Sequence, residues 1–276
     1  MNLLRSELLK IRTTATWWIF ALGALLGLVL ATLINMAWAS ALDQPVDPAE
    51  MPPEEVEQME AQASSLFHAT NLYTSGQYLG LLFVMLLGIV LVTNEYRHQT
   101  ATTTFLTTPR REAVMLAKLG ATAVAGAVLW AATTVINIPV GVLILRAHDA
   151  PHHLGAWEVT RALLLNLLAY LLWGALGIGI GTLIRSQVGA TVTAAVLYLV
   201  GTHVAQGIFM MLAGYFDNMA ILEWQVLVPS IASNLMITGV ELPGSPPQWV
   251  GAVVLVGYAT LAGVVGAAIV KRRDIS

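Results

Sequence analysis

The chain has 276 residues, of which 57% are hydrophobic and only 11% charged, with a formal net charge of −3 and no cysteine. A soluble globular domain carries roughly 45–50% apolar and 25% charged residues, so the composition excludes one, and the absence of thiols excludes disulfides and thiolate metal sites. Several stretches of 18 or more residues have no charge at all, the pattern of helices that cross a bilayer.

In chain order, Leu4, Leu8 and Ile11 share one helical stripe, with Arg5, Lys10 and Arg12 around it. This predicts a short helix within residues 1–15 lying on a membrane surface. An apolar run from Trp17 to Trp38 follows, with tryptophans at both ends as in an aromatic belt. The preceding bases and the small residues Ala37–Ala41 resemble a cleaved signal, but 22 residues exceed the usual core of roughly 7–15, so residues 17–38 are expected to stay as the first span. Residues 40–75 contain seven acids, Asp43 to Glu60, no base and four prolines, which predicts an acidic, solvated external loop with some helix after Pro53.

The second span is expected over 76–93, a polar segment over 94–112, and the third span over 119–145, with a kink near Asn137 and Pro139. Between Arg161 and Asp217 the only formal charge is Arg185, in 55 intervening residues where about 20 cross a bilayer. An arginine at mid-bilayer costs about 2.5–3.5 kcal/mol on insertion scales, so Arg185 is placed in a tight turn between spans at 162–184 and 188–213. The last span covers 249–270 and is closed by Lys271, Arg272 and Arg273. Residues 214–247 are apolar but interrupted by Glu223 and Pro229, and a seventh span would put the two basic termini on opposite sides. They are therefore read as an external, re-entrant segment. The expected fold is an all-α integral membrane protein: one transmembrane domain of six helices over 1–276.

This topology puts eleven bases and four acids on the side of the termini, net +7, and two bases with twelve acids on the other, net −10. The positive-inside rule then makes the terminal side cytoplasmic.

The segment Asn94–Lys118 is the most informative polar stretch. Glu95, Tyr96 and Arg97 open it, a threonine-rich run from Thr100 leads to Phe105 and Leu106, and Thr107-Thr108-Pro109-Arg110-Arg111 closes it before Ala117-Lys118. The pattern allows a short helix ended by Pro109. Two readings stay open on pattern alone: a helix seated in a cleft of a soluble partner, or a basic loop held on anionic lipid headgroups. These residues, together with Leu4-Arg5-Ser6-Glu7-Leu8-Leu9-Lys10 and the closing Arg272-Arg273-Asp274, resemble the type-2 ABC transporter permease family, exporter type. The resemblance covers nearly the whole chain. It implies an N-terminal interfacial helix, six spans, a coupling helix between spans two and three that inserts into a separate ATPase subunit, and an external hairpin before span six. It makes Glu95, Tyr96, Arg97, Thr100, Phe105, Leu106, Pro109, Arg110, Arg111 and Lys118 the expected ATPase-coupling residues. Gln99 departs from the family pattern, where glycine is expected.

A phosphate-binding loop ends in Gly-Lys-Ser/Thr, and Lys10, Lys118 and Lys271 follow Leu9, Ala117 and Val270. No lysine here closes such a loop, so ATP and Mg are expected in the partner ATPase, two copies of it, beside a second permease copy and membrane lipid, with no nucleic-acid partner. Gly177, Gly179 and Gly181, like Gly23 and Gly27, form small-residue faces, either for a dimer interface lining the substrate path or for packing within the subunit. His203 lies inside span five, either on the route or bonded to Thr202 or Gln206. His148, His152 and His153 with Asp149 read as a solvated loop rather than a metal site. An intramembrane enzyme is the second class, but there is no His-Glu-x-x-His pair, and Glu54-Glu55 falls in the proline-rich loop. A secondary transporter or channel would show embedded acids or a repeat, and neither is evident. The expectation is the permease subunit of an exporter in the bacterial cytoplasmic membrane, both termini cytoplasmic, moving an amphipathic, lipid-like, peptide or drug substrate.

Overall fold

The computed structural model describes residues 2–39, 53–99 and 111–272, and among these it contains helices and no strand. Helices α1 (Asn2–Thr13) and α2 (Thr16–Ala39) open the chain, followed by α3 (Pro53–Ala63), α4 (Ser65–Tyr73) and α5 (Gln77–Arg97). Next come α6 (Arg111–Ala147), α7 (Trp157–Leu183), α8 (Gln187–Val196), a π turn (Leu197–Gly201) and α9 (Thr202–Phe216). A 3-10 helix (Met219–Leu227), α10 (Pro229–Ile237) and α11 (Gln248–Arg272) complete it. Among the described residues, six helices are long and apolar enough to cross a membrane: α2, α4 with α5, α6, α7, α8 through α9, and α11.

Helices α5 and α7 are the centre. The α5 span is 72% buried, against 17% for α2, 11% for α8–α9 and 17% for α11, so the outer helices turn most of their apolar surface outward. Close approach of the central pair depends on glycine. Gly88 lies where a Cβ would sit 2.6 Å from the Gly174 carbonyl oxygen, and a Cβ on Gly177 would meet the Met85 carbonyl. Backbones this near give up side-chain volume for direct packing, the usual arrangement between membrane helices.

Tyr78 and Tyr198 exchange hydrogen bonds, the Tyr78 hydroxyl donating to the Tyr198 carbonyl at 3.3 Å and the Tyr198 hydroxyl to the Tyr78 carbonyl at 2.7 Å, while Trp173 meets the Tyr198 ring edge-on at 4.8 Å. Tyr198 sits in the π turn, and its carbonyl takes the Tyr78 and Thr202 hydroxyls. A π turn disturbs the regular backbone ladder, and here side chains take up the carbonyl it displaces. The Trp173 indole N–H donates to Ser233 Oγ at 2.8 Å, and the Thr202 and Ser230 hydroxyls bond at 2.7 Å, fixing α10 against α7 and α9.

The second half of the stretch read as solvated loop is instead a buried helix. Phe67, His68, Ala69, Thr70, Leu72 and Tyr73 of α4 are buried, and α4 packs on α6. Its hydroxyls bond back to backbone carbonyls one turn earlier, as Thr70 does to Leu66 and Phe67, which makes the burial tolerable. The second span also runs four residues past Thr93. Helix α6 continues through Pro139 as one helix, and the turn at Arg185 and Ser186 falls where expected, with Ser186 capping α8. Between spans five and six, the 3-10 helix and α10 meet at 97°.

Candidate functional site

The ends of α5, about 30 Å apart for 21 residues at 1.5 Å each, differ sharply. Near Gln77, hydroxyl and amide contacts dominate: Gln77 donates to Asn234, Arg161 to the Gly239 carbonyl, and Ser65 bonds His153 at 2.8 Å. Near Arg97, charges converge. Glu7 and Lys10 lie one turn apart on α1, Glu95 in the last turn of α5, and Lys118 two turns into α6. Lys118 Nζ donates to Glu7 Oε2 at 3.0 Å, to Glu95 Oε1 at 2.8 Å and to the Leu91 carbonyl at 3.1 Å. Lys10 Nζ donates to Glu7 Oε1 at 2.6 Å and to Glu95 Oε1 at 2.8 Å.

Lys118 thus uses all three of its donors, and its side chain is 2% exposed beside carboxylates that are 3% and 7% exposed. Two acids and two bases balance, which is the condition for keeping charges out of water. Burial pulls the Lys10 pKa down, but the hydrogen bonds to Glu7 and Glu95 outweigh it and hold the pKa above its ordinary value. A buried ion cluster adds little net stability, because desolvation offsets the attraction. What it fixes is position: sliding α1 by one turn would part Glu7 from Lys118 and Lys10 from Glu95, leaving only the Glu7–Lys10 and Glu95–Lys118 pairs. Leu8 and Ile11 pack beside the cluster, with Tyr96 and Met115, on Leu91, Val92, Ala121 and Ile178.

Just beyond, Arg97 Nη1 donates to Gln187 Oε1 at 3.1 Å, and the Arg185 guanidinium lies 5.9 Å over the Tyr96 ring. The end of α5 is thereby joined to the turn between α7 and α8. Gln99 follows the helix cap with φ 55°, in the left-handed region where a side chain is disfavoured. Glycine suits this position, which accounts physically for the glycine that the resemblance leads one to expect where Gln99 stands.

Of the expected coupling residues, the structure brings Glu95, Tyr96, Arg97 and Lys118 to one end. Glu95 and Lys118 are buried there and turn their charges to α1, while Arg97 is exposed. Arg111 is the first residue of α6. Thr100, Phe105, Leu106, Pro109 and Arg110, and with them the expected coupling helix, lie outside the described residues. Gly177 and Gly181 pack against α5, Gly181 with the Ile89 carbonyl oxygen 3.0 Å from where a Cβ would be, so both serve packing within the chain. His203 is exposed on α9 and bonds Gln206 at 3.2 Å.

Sequence reasoning did not single out Glu7 and Lys10. The signal was present for Glu7: it falls on the stripe of Leu4, Leu8 and Ile11, so an acid points where the apolar face points.

The fold and this charged end define a class: a polytopic helical membrane protein whose N-terminal helix is clamped by buried ion pairs to the helices on either side of a polar segment. Residues 3–201 match the family described as ABC-2 family transporter protein, and the chain belongs to that family. Its members are membrane transport subunits that work with an ATPase subunit and are not enzymes themselves. No curated protein matches the sequence closely enough to add a relative.

Proposed function

We propose that the chain is the permease subunit of an ATP-driven exporter, with nucleotide bound and hydrolysed, with Mg, by a separate ATPase. Two permease copies enclose the path and two ATPases dock on the cytoplasmic face at 94–112. The observation that carries this reading is the Glu7–Lys10–Glu95–Lys118 cluster, because Glu95 stands at the start of that segment, Lys118 just after its end, and both are tied to α1. Force applied between residues 95 and 118 then moves α1 and the ends of α5 and α6 together. Arg97, Arg110 and Arg111 meet acidic ATPase surface, Tyr96 and Phe105 help dock, and Glu95 and Lys118 act through α1. The terminal side faces the cytoplasm, where eleven of thirteen bases lie. The α1 helix rests at the interface, and the bent 3-10 helix and α10 form a re-entrant external hairpin. Apolar path walls suit an amphipathic, lipid-like, peptide or drug substrate.

The test is a pull-down of the solubilised protein from its native host, scored for a co-purifying ATPase with a phosphate-binding loop. The R97E/R110E/R111E variant is run in parallel. An ATPase that accompanies the wild type and is lost from the variant supports the reading; none in several mild detergents overturns it.

A further inference from the structure

Beside the ion cluster, a groove of about 650 Å³ opens between α1, α2, α5 and α6. Its walls are apolar: Phe20 and Ala21 from α2, Phe83 and Leu87 from α5, and Val124, Ala125, Val128 and Ala132 from α6. The α6 positions fall on one face and span nine residues, about 12 Å along the axis. Val124 and Val128 are themselves exposed, so the groove is reached from the side of the bundle that faces the bilayer. At its α1 end stand Leu8, Ile11, Arg12 and Trp17.

The charges of α1 divide between two flanks. Glu7 and Lys10 turn to the cluster, where Lys10 is neutralised by Glu7 and Glu95. Arg5 and Arg12 are seven residues apart, within about 20° of two full turns, and so share the other flank, beside Leu8 and the groove. Both are exposed, and neither forms an ion pair with a described residue. A long apolar trough with a cationic rim at one end has the two-part chemistry of a phospholipid: hydrocarbon along α6, phosphate at the arginines.

We propose that this groove binds one anionic glycerophospholipid, its acyl chain between α2, α5 and α6 and its phosphate against Arg12, with Arg5 as the second cation. The inference rests on membership of a membrane family and not on the ATPase partner, so it stands or falls separately from the coupling reading. Cations near a membrane surface attract anionic lipid by roughly fivefold each, which two arginines raise to about 25-fold. A lipid held there braces α1 from the side opposite the ion cluster.

The experiment titrates the purified full-length chain, in neutral detergent, with phosphatidylglycerol or phosphatidylcholine of matched acyl chains, and counts bound lipids by native mass spectrometry. Wild type is expected to hold one phosphatidylglycerol about 25-fold more tightly than phosphatidylcholine, with the preference shrinking in high salt. Arg12→Gln should lose about fivefold, Arg5→Gln/Arg12→Gln the whole preference, and Arg12→Lys little. Ala125→Phe, which fills the trough, should remove the site for both lipids. Because both arginines are exposed, their variants should keep the wild-type thermal midpoint, so the result does not hinge on the folding of Ala125→Phe. Equal affinity for the two lipids in wild type, or an undiminished preference in the double arginine variant, overturns the proposal.

Discussion

Lys118→Met keeps the unbranched apolar stem of the side chain and removes one charge. Glu7 and Glu95, both nearly inaccessible, then share Lys10 alone, and the balance of two acids and two bases becomes two against one. Removing one partner from a buried pair costs about 3–5 kcal/mol, because the remaining charge stays out of water. Glu7→Gln/Lys118→Met restores balance, leaving Lys10 against Glu95, and its cost falls toward the lost hydrogen bonds, about 1 kcal/mol each. The double variant should therefore be more stable than the single one, by up to about 2 kcal/mol. Thermal unfolding in detergent, followed by tryptophan fluorescence, should show the single variant lowered by on the order of 10 °C, with a substantial part recovered in the double. Since the chain has no cysteine, Ile11→Cys gives a unique label on the inner face of α1, and Lys118→Met should make it react faster with a maleimide. A single variant as stable as wild type, or a double no better than the single, would refute the claim that charge balance seats α1.

Gly177→Ala should lower the thermal midpoint, since its Cβ meets the Met85 backbone, with overpacking at about 1–3 kcal/mol. Gly207→Ala, with nothing within 4 Å, should raise it through helix propensity, by up to about 1 kcal/mol. Gln99→Gly should be neutral or stabilising, by up to about 1 kcal/mol in the same assay, because it relieves a left-handed side chain, whereas Gln99→Val should be worse than wild type. The Lys10 pKa is raised by folding, so its charge contributes fully below the ordinary value of 10.5 and the contribution is lost as pH climbs through the raised one. A stability profile taken to high alkaline pH should accordingly fall less steeply for Lys10→Met than for wild type.

Six spans were legible because charge-free windows of bilayer length leave little alternative, and the Arg185 turn because a lone arginine is expensive at mid-bilayer. Helix α4 was not legible. His68, Thr70 and Thr74 look solvated in sequence; the two threonines are accepted inside through hydroxyl-to-carbonyl bonds, and the helix as a whole through the packing of Leu72 and Tyr73. In the sequence the second span stops at Thr93 because Asn94 and Glu95 are polar, and only α1 and Lys118 explain why the helix continues. Small-residue spacing signalled that Gly177 and Gly181 lie against something close, but the partner, α5, is a tertiary fact. The π turn has no sequence signature that periodicity detects.

The Glu7–Lys118 bond joins residues 111 apart in sequence. During synthesis at about 5–20 residues per second, Glu7 waits roughly 5–20 s for its partner to be made. Over that interval α1 lacks its Lys118 anchor, and the acid on its inner face has only Lys10 of its own helix to pair with. The first helix synthesised is thus fixed later than the span that follows it, and it locks only after the third span has begun. A chain arrested before Lys118 would expose this unseated helix to whatever surveys incomplete membrane proteins.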